Sequence, residues 1–81
     1  MDTSAVLARV TDIVRDTLDD DDILLSPDTV ASNVPGWDSL AHIRIMVAVE
    51  QAFHIRLKTD QITSLKDVGG LVDLIVQATS S

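Results

Sequence analysis

Apolar residues recur at helical spacing in several segments of the chain, and polar residues separate these segments. In the first segment, from about Thr3 or Ser4 to Leu18, one apolar stripe is formed by Leu7, Val10, Val14 and Leu18, widened by Val6 and Ile13. Positions three and four apart share one face of an α-helix. The pattern predicts an amphipathic helix that ends at the aspartates of 19–22, because acidic side chains near a helix C-terminus oppose its dipole.

A second helix is predicted to follow the helix-breaking pair Pro35-Gly36 and to run from about Ser39 to Phe53 or the next residue. Asp38 or Ser39 can cap it by accepting its first N–H groups. Its predicted apolar face consists of Leu40, Ile43, Met46, Val47 and Phe53. Ser39 is therefore expected to be an exposed hydroxyl in the first turn, where N–H donors and the helix dipole favour a phosphate ester.

A long loop, residues 19–37, is predicted between these two helices. Turn signals occur at Ser26-Pro27-Asp28 and at Val34-Pro35-Gly36. Loops of this length are uncommon in small domains and are often functional. Apolar side chains are expected to hold the loop against the helices, namely Ile23, Leu24, Leu25, Val30 and Val34.

The C-terminal third predicts a short helix and a longer one. The short helix is expected at about Thr59 to Ile62, with Thr59 as its N-cap. The last helix is expected after Ser64, which has the spacing of a capping box with Asp67. The apolar face of this last helix is formed by Val68, Leu71, Val72 and Ile75.

Two glycines, Gly69-Gly70, lie in the early turns of this last helix, where each costs about 1 kcal/mol relative to alanine. Either close helix packing compensates for this cost, or the helix begins later than the position after Ser64. The pattern shows no repeat and no strand-like alternation. The predicted fold is all-α, a four-helix bundle with a long first loop and one short helix.

Composition narrows the classes of function. The 81 residues predict one domain, 1–81, and the lack of cysteine excludes disulfides and a thiol nucleophile. Thirteen acidic residues against six basic ones give a net charge of −7, which disfavours nucleic-acid binding and favours partners with basic surfaces. The same charge also keeps a small domain soluble. No signal-type or membrane-spanning segment is found, so we expect a free-standing cytoplasmic protein.

The mid-chain sequence Gly36-Trp37-Asp38-Ser39-Leu40, with the apolar helix that ends in Ala48-Val49-Glu50-Gln51-Ala52-Phe53-His54-Ile55, resembles the acyl carrier protein family. The resemblance covers nearly the whole chain. In that family the serine of an Asp-Ser-Leu motif carries a 4′-phosphopantetheine arm, whose thiol holds acyl groups as thioesters. The resemblance therefore implies that Ser39 bears this arm, which a phosphopantetheinyl transferase moves from coenzyme A in a Mg²⁺-dependent step.

The resemblance also implies roles for the neighbours of Ser39. Asp38 is expected to help position the transferase and its metal ion, and Trp37 to anchor the loop beside the second helix. Leu40 is expected at the entrance of an acyl-binding cleft, near Ile43, Ile62 and Leu65. The protein would be a monomeric carrier with no catalytic residues, served by an acyl-loading enzyme or acyltransferase and by downstream synthase or tailoring enzymes.

One departure from the family bears on the pathway. Carriers of bacterial fatty acid synthesis resemble one another in having an acidic second helix. Here Ala41, His42 and Arg44 occupy its first part, and Glu50 alone remains of the later acids. A positive charge at Arg44 would discriminate against basic partner surfaces. This favours a polyketide or other specialised acyl-transfer pathway over housekeeping fatty acid synthesis.

Other interpretations stay open at this point. A peptidyl or aminoacyl carrier shares the fold and the arm, and an unmodified helical interaction domain with an acidic docking face would share the fold alone. A hydrolase nucleophile at Ser39, with His42 as base, would need an orienting third group and oxyanion donors, which neighbouring positions on one exposed helix rarely provide. The segment also lacks the glycines of a nucleophile elbow. The aspartates of 19–22 are not followed by the ligand spacing, the central glycine and the terminal glutamate of an EF-hand, so they predict no more than weak cation binding. His54 is expected to be a surface or helix-dipole residue and not a ligand.

Overall fold

In the computed structural model, which describes residues 2–79, the chain folds into four α-helices. They are α1 (Thr3–Leu18), α2 (Ser39–Phe53), α3 (Thr59–Thr63) and α4 (Val68–Thr79), and a short 3-10 turn, Ala31–Asn33, lies in the first loop. α1 packs against both α2 and α4. Between residues 2 and 79 no strand is formed. The predicted all-α bundle with one short helix is confirmed.

α1 buries the predicted side and ends at the predicted residue. Its fully buried side chains are Val6, Val10 and Val14. After Leu18 the backbone turns through Asp19, which adopts the left-handed conformation with φ of 53°. The N–H groups of Asp19 and Asp20 donate to the carbonyls of Asp16 and Arg15, at 3.4 and 3.0 Å. A hydrogen-bonded left-handed turn therefore closes the helix, in addition to the unfavourable charge of the aspartates.

The first loop is held by fewer apolar side chains than the sequence predicts. Ile23 and Val34 are buried and Leu25 packs against the core. Leu24, however, is 81% exposed and Val30 is also exposed, so these two predictions are wrong. Leu24 lies between Ile23 and Leu25, whose side chains pack on the core, and its own side chain projects into solvent.

α2 buries a different face from the predicted one. Its buried residues are Ala41, Ile45, Met46 and Val49. Of the predicted face only Met46 is buried and Phe53 partly so, whereas Leu40, Ile43 and Val47 are 60%, 58% and 45% exposed. The helix is apolar on most sides, so spacing alone fits two faces, and the contacts with α1 decide between them. An apolar stripe is thereby left on the surface.

α4 uses the predicted apolar face, and its glycines explain where it begins. Val68, Leu71, Val72 and Ile75 are all buried. The N–H of Gly69 donates to the carbonyl of Pro27 at 2.9 Å, and a Cβ at Gly69 would lie 2.8 Å from that oxygen. The early glycine therefore permits the first loop to contact the backbone of α4. Of the two predicted alternatives, the later start is confirmed: α4 begins at Val68, so both glycines lie in its first turn, and the close contact of Gly69 is with the first loop and not with another helix.

Two predicted caps are wrong by a few residues. The carboxylate of Asp67, and not Ser64, caps α4 by accepting from the N–H of Gly70 at 2.8 Å. Ser64 instead ends α3, its N–H donating to the carbonyl of Asp60. α3 itself has Lys58 at its N-cap and Thr59 as its first residue. In each case several polar residues near the helix start have suitable chemistry, and the path of the chain selects one.

Candidate functional site

Ser39 lies where the first loop turns into α2. The turn passes through Gly36, whose φ of 87° is a conformation that residues with side chains rarely adopt. The Oδ1 of Asp38 then accepts from the N–H of Ala41 at 2.8 Å, and its carbonyl accepts from the N–H of His42 at 2.8 Å. These bonds make Asp38 the N-cap and Ser39 the exposed first residue of the helix. The predicted cap and the predicted exposure of Ser39 are both confirmed.

Trp37 and His42 form a bonded pair beside Ser39. The indole Nε1 of Trp37 donates to Nδ1 of His42 at 3.1 Å, and Trp37 is buried as predicted for an anchor of the loop. The other ring nitrogen, Nε2, lies 3.1 Å from the carbonyl oxygen of Ile62 in α3. Because Nδ1 accepts, the neutral ring carries its proton on Nε2 and donates it to Ile62. His42 thus links the loop, α2 and α3.

This arrangement also bears on Ser39 and His42 as a nucleophile and base. A general base needs a nitrogen lone pair within hydrogen-bond reach of the hydroxyl that it deprotonates. The lone pair of Nδ1 in His42 is directed to the indole N–H of Trp37, and Nε2 is the donor to Ile62. Both ring nitrogens of His42 are therefore used in structural hydrogen bonds, and neither presents a lone pair to Ser39.

A cleft of about 650 Å³ opens next to Ser39, between α2, α3 and the end of the first loop. Volumes of this size are typical of small-molecule sites. Of the four residues expected at a cleft, Ile43, Ile62 and Leu65 line it, while Leu40 lies outside its lining. The sequence did not indicate the loop residues Val30, Ala31 and Ser32, nor the polar side chains of Thr63 and Lys66, which also contribute to the wall.

The exposed surface of α2 near Ser39 is apolar and basic. Arg44 is exposed between the exposed side chains of Ile43 and Val47. The one acid of the helix, Glu50, is half-buried and accepts from the N–H of Leu57 at 2.9 Å. Its carboxylate therefore stabilises the chain that leaves α2. His54 follows as the C-cap, with φ of 55° and its N–H donating to the carbonyl of Glu50.

Metal and membrane features are not found in the part of the chain that the structure covers. Within residues 2–79, His, Asp and Glu nowhere group by threes in an arrangement that could hold a metal ion. Among the aspartates of 19–22, the Oδ1 of Asp20 accepts from the N–H of Asp22 at 3.0 Å. None of the four helices in this range has the length and apolar content that crossing a membrane requires.

Comparison with known proteins shows the family to which the chain belongs. The family profile described as phosphopantetheine attachment site matches residues 5–75. The solution structure of the holo acyl carrier protein from Geobacter metallireducens is similar, with a TM-score of 0.86, 35% identity, and coverage of 93% of this chain and 86% of that one. The chain therefore belongs to the acyl carrier protein family, and its prosthetic group is a covalently attached 4′-phosphopantetheine.

Curated relatives agree with this membership. The acyl carrier protein of Syntrophobacter fumaroxidans is 25% identical over 77 residues, which span 95% of both chains. The acyl carrier protein of Acidothermus cellulolyticus is 43% identical over 44 residues, and this stretch covers 54% of the present chain and 52% of the relative. The higher identity is thus confined to about half of each sequence.

The region around Ser39 fits the group that the family carries. Attachment requires an accessible hydroxyl, and Ser39 is exposed on the rim of the cleft. The phosphate would lie at the N-terminus of a helix of 15 residues, where its charge is favoured by the helix dipole. The chain has no cysteine, so the thiol for holding an acyl group has to come from the arm.

Proposed function

We propose that Ser39 is the residue that carries the 4′-phosphopantetheine arm and that the chain presents acyl groups on this arm to other enzymes. The observation that carries the proposal is the exposed hydroxyl at the capped start of α2, beside the cleft and inside the region matched by the family profile. When bound, the arm supplies the thiol on which an acyl group is held as a thioester.

The chain's own residues position the hydroxyl of Ser39 and stabilise the charge it acquires. Attachment replaces the hydroxyl proton with the phosphoryl group of phosphopantetheine, and adenosine 3′,5′-bisphosphate leaves from coenzyme A. Asp38 fixes the helix start through its bond to Ala41 and, by the family resemblance, also helps to position the transferase and its Mg²⁺. The dipole of α2 favours the new negative charge by about 0.3–1 kcal/mol.

In this function the protein is a carrier and not an enzyme. Its partners are a phosphopantetheinyl transferase, an acyl-loading enzyme and the synthase or tailoring enzymes that act on the tethered group. Tethering replaces diffusion of the acyl group with a high effective concentration at each partner's active site. We further propose that the chain acts as a single domain, 1–81, as a monomer and in the cytoplasm.

We also propose that the pathway is a specialised one, such as polyketide biosynthesis. The support comes from α2, whose exposed charge is the positive Arg44 and whose acid, Glu50, is bonded to Leu57. A basic partner surface that selects for acidic carriers would meet a like charge here, which lowers its association rate.

The attachment proposal is tested by intact-protein mass spectrometry after incubation with coenzyme A, Mg²⁺ and a broad-specificity phosphopantetheinyl transferase. We expect the wild type to gain one phosphopantetheine and Ser39→Ala to gain none. Ser32→Ala is the matched control, because Ser32 is also an exposed serine on the same cleft. It should be modified like the wild type. Modification of Ser39→Ala, or no gain by folded wild-type protein, would refute the proposal.

A further inference from the structure

Behind the surface cleft lies a second, interior cavity of about 20 Å³, which reaches the core at Met46, Val68 and Leu71. These three side chains are almost fully buried. Five residues line both the outer cleft and the interior cavity, namely Ala31, Trp37, His42, Leu65 and Lys66. Together they separate the place where a tethered group can lie from the centre of the bundle, and within this partition the rings of Trp37 and His42 are joined by a hydrogen bond.

The partition is held by bonds to three parts of the chain. Trp37 lies at the end of the first loop, His42 in α2, and the carbonyl that His42 contacts belongs to Ile62 in α3. To open a path inward, the imidazole would have to leave both partners in a partly buried environment. Leaving such donors and acceptors unpaired is unfavourable, so the bonded pair resists opening.

The outer cleft differs from the interior mainly in its contact with water. Its wall is largely apolar, with Val30, Ile43, Ile62 and Leu65, and it also carries the polar side chains of Ser32, Asp38, Thr63 and Lys66. An acyl group in this open cleft would keep part of its surface in water, whereas one that passed the partition would be enclosed next to Met46, Val68 and Leu71. Long saturated chains gain most from full burial, because the favourable free energy is proportional to the apolar area removed from water.

We propose that His42 is a specificity-determining residue: by closing the inner end of the cleft, it keeps the tethered acyl group at the surface and favours short or polar-substituted acyl groups over long saturated ones. The inference rests on the proposed attachment at Ser39 and adds the class of acyl group. His42 acts here by occupying the passage, through its bonds to Trp37 and Ile62.

The test loads butanoyl and octanoyl groups from the corresponding acyl-coenzyme A with the transferase and confirms each product by mass. The midpoint of thermal unfolding is then measured for the holo, butanoyl and octanoyl forms of the wild type and of His42→Ala. Comparison within each variant removes the effect of the substitution on the unmodified fold. Trp37 is the single tryptophan, so its fluorescence reports separately on the partition.

Full burial of one methylene raises the midpoint by roughly 3–6 °C in a domain of this size. In the wild type we expect the unfolding midpoint of the octanoyl form to exceed that of the butanoyl form by less than about 4 °C. In His42→Ala, where the partition is open, we expect this difference to be more than about 10 °C. The emission maximum of Trp37 should be independent of chain length in the wild type and should shift with octanoyl in His42→Ala.

Two further variants distinguish an effect of opening the partition from a general effect of substituting a histidine on the structure. His54→Asn changes the other histidine, which is exposed and outside the cleft, and asparagine tolerates the left-handed backbone there. This control should behave like the wild type. His42→Gln keeps a side-chain donor for the carbonyl of Ile62 and should restore most of the wild-type length dependence.

The proposed role of His42 would be overturned if the unfolding midpoint depended on acyl chain length to the same extent in the wild type and in His42→Ala, whether that dependence is steep or flat. A failure of the attachment proposal looks different, because no acyl-phosphopantetheine mass would then appear on folded wild-type protein in the first place.

Discussion

The starts of α2 and α4 are built alike and are used differently. Each is capped by an aspartate, Asp38 or Asp67, whose Oδ1 accepts from the N–H three residues on at 2.8 Å. At α4 the first N–H groups, of Val68 and Gly69, donate to carbonyls of the first loop at 2.9 Å. At α2 the first residue is an exposed serine beside an open cleft.

The difference lies in what covers the helix end. The first loop contacts α4 through Pro27 and Thr29, and by closing that end it stabilises the bundle. Its last residues pass through the turn at Gly36 and place Trp37 beside α2, but they leave Ser39, the first residue of the helix, accessible. The same cap chemistry thus serves stability at one helix and presentation of a modifiable hydroxyl at the other.

The largest change in the free energy of unfolding is expected from Gly69→Ala, which disturbs the start of α4 where the first loop covers it. The added Cβ would lie 2.8 Å from the backbone oxygen of Pro27, so the loop has to move. Overpacking of this kind costs about 1–3 kcal/mol, against a gain of up to about 1 kcal/mol in helix propensity. We expect a net loss of about 1–2 kcal/mol in the free energy of unfolding, measured with urea.

Gly70→Ala is the matched control for this prediction. Its Cβ would meet the Asp67 carboxylate at 3.4 Å and Leu65 at 3.6 Å, which are ordinary contacts. This variant should be neutral or stabilised by up to about 1 kcal/mol. Equal effects of the two substitutions would mean that the contact with Pro27 does not determine where α4 begins.

Removal of the caps gives a smaller effect on stability. Asp67→Ala and Asp38→Ala each lose one bond between a carboxylate and a backbone N–H, and each should lower the free energy of unfolding by about 1 kcal/mol. Asp38→Ala should in addition slow phosphopantetheine transfer, whereas Asp67→Ala should leave the transfer rate unchanged. Urea unfolding and the initial rate of the mass increase separate the two effects. Equal transfer rates would contradict the functional difference between the two helix starts.

The smallest effect on the fold is expected from Arg44→Glu, which probes the partner surface beside the open end. Arg44 is exposed, so the free energy of unfolding should change by less than about 0.5 kcal/mol. Loading by a fatty-acid-type acyltransferase with a basic docking surface should become a few-fold faster at low salt, and the gain should decline with salt because surface charges are screened.

Arg56→Glu is the control for charge alone, since Arg56 is exposed beyond the end of α2 and the substitution changes the net charge equally. It should leave the loading rate nearly unchanged. If both substitutions accelerated loading equally, overall charge and not the surface of α2 would govern the choice of partner.

The predictability of these two helix starts differs for a physical reason. Around Ser39 the cap, the turn and the exposed hydroxyl depend on neighbours in sequence, so local chemistry was enough to predict them. At α4 the capping residue depends on a contact with Pro27, some forty residues earlier in the chain, and the choice between Ser64 and Asp67 could not be made locally.

The cleft shows the same limit. The family resemblance indicated Ile43, Ile62 and Leu65, but the apolar spacing could not show that α2 leaves Leu40 and Ile43 exposed, because both faces of that helix are apolar. The link from Trp37 through His42 to Ile62 joins residues up to 25 positions apart by tertiary contact. No local pattern in the sequence indicates such a link.

Whether the open helix start at Ser39 carries the arm is tested most directly by locating the group in the modified wild-type protein. After treatment with coenzyme A, Mg²⁺ and the transferase, the protein is digested and its peptides are fragmented in the mass spectrometer. We expect phosphopantetheine on Ser39 alone, with no modification at Ser32 or Ser64. Phosphopantetheine on any other residue, with Ser39 unmodified, would refute attachment at Ser39.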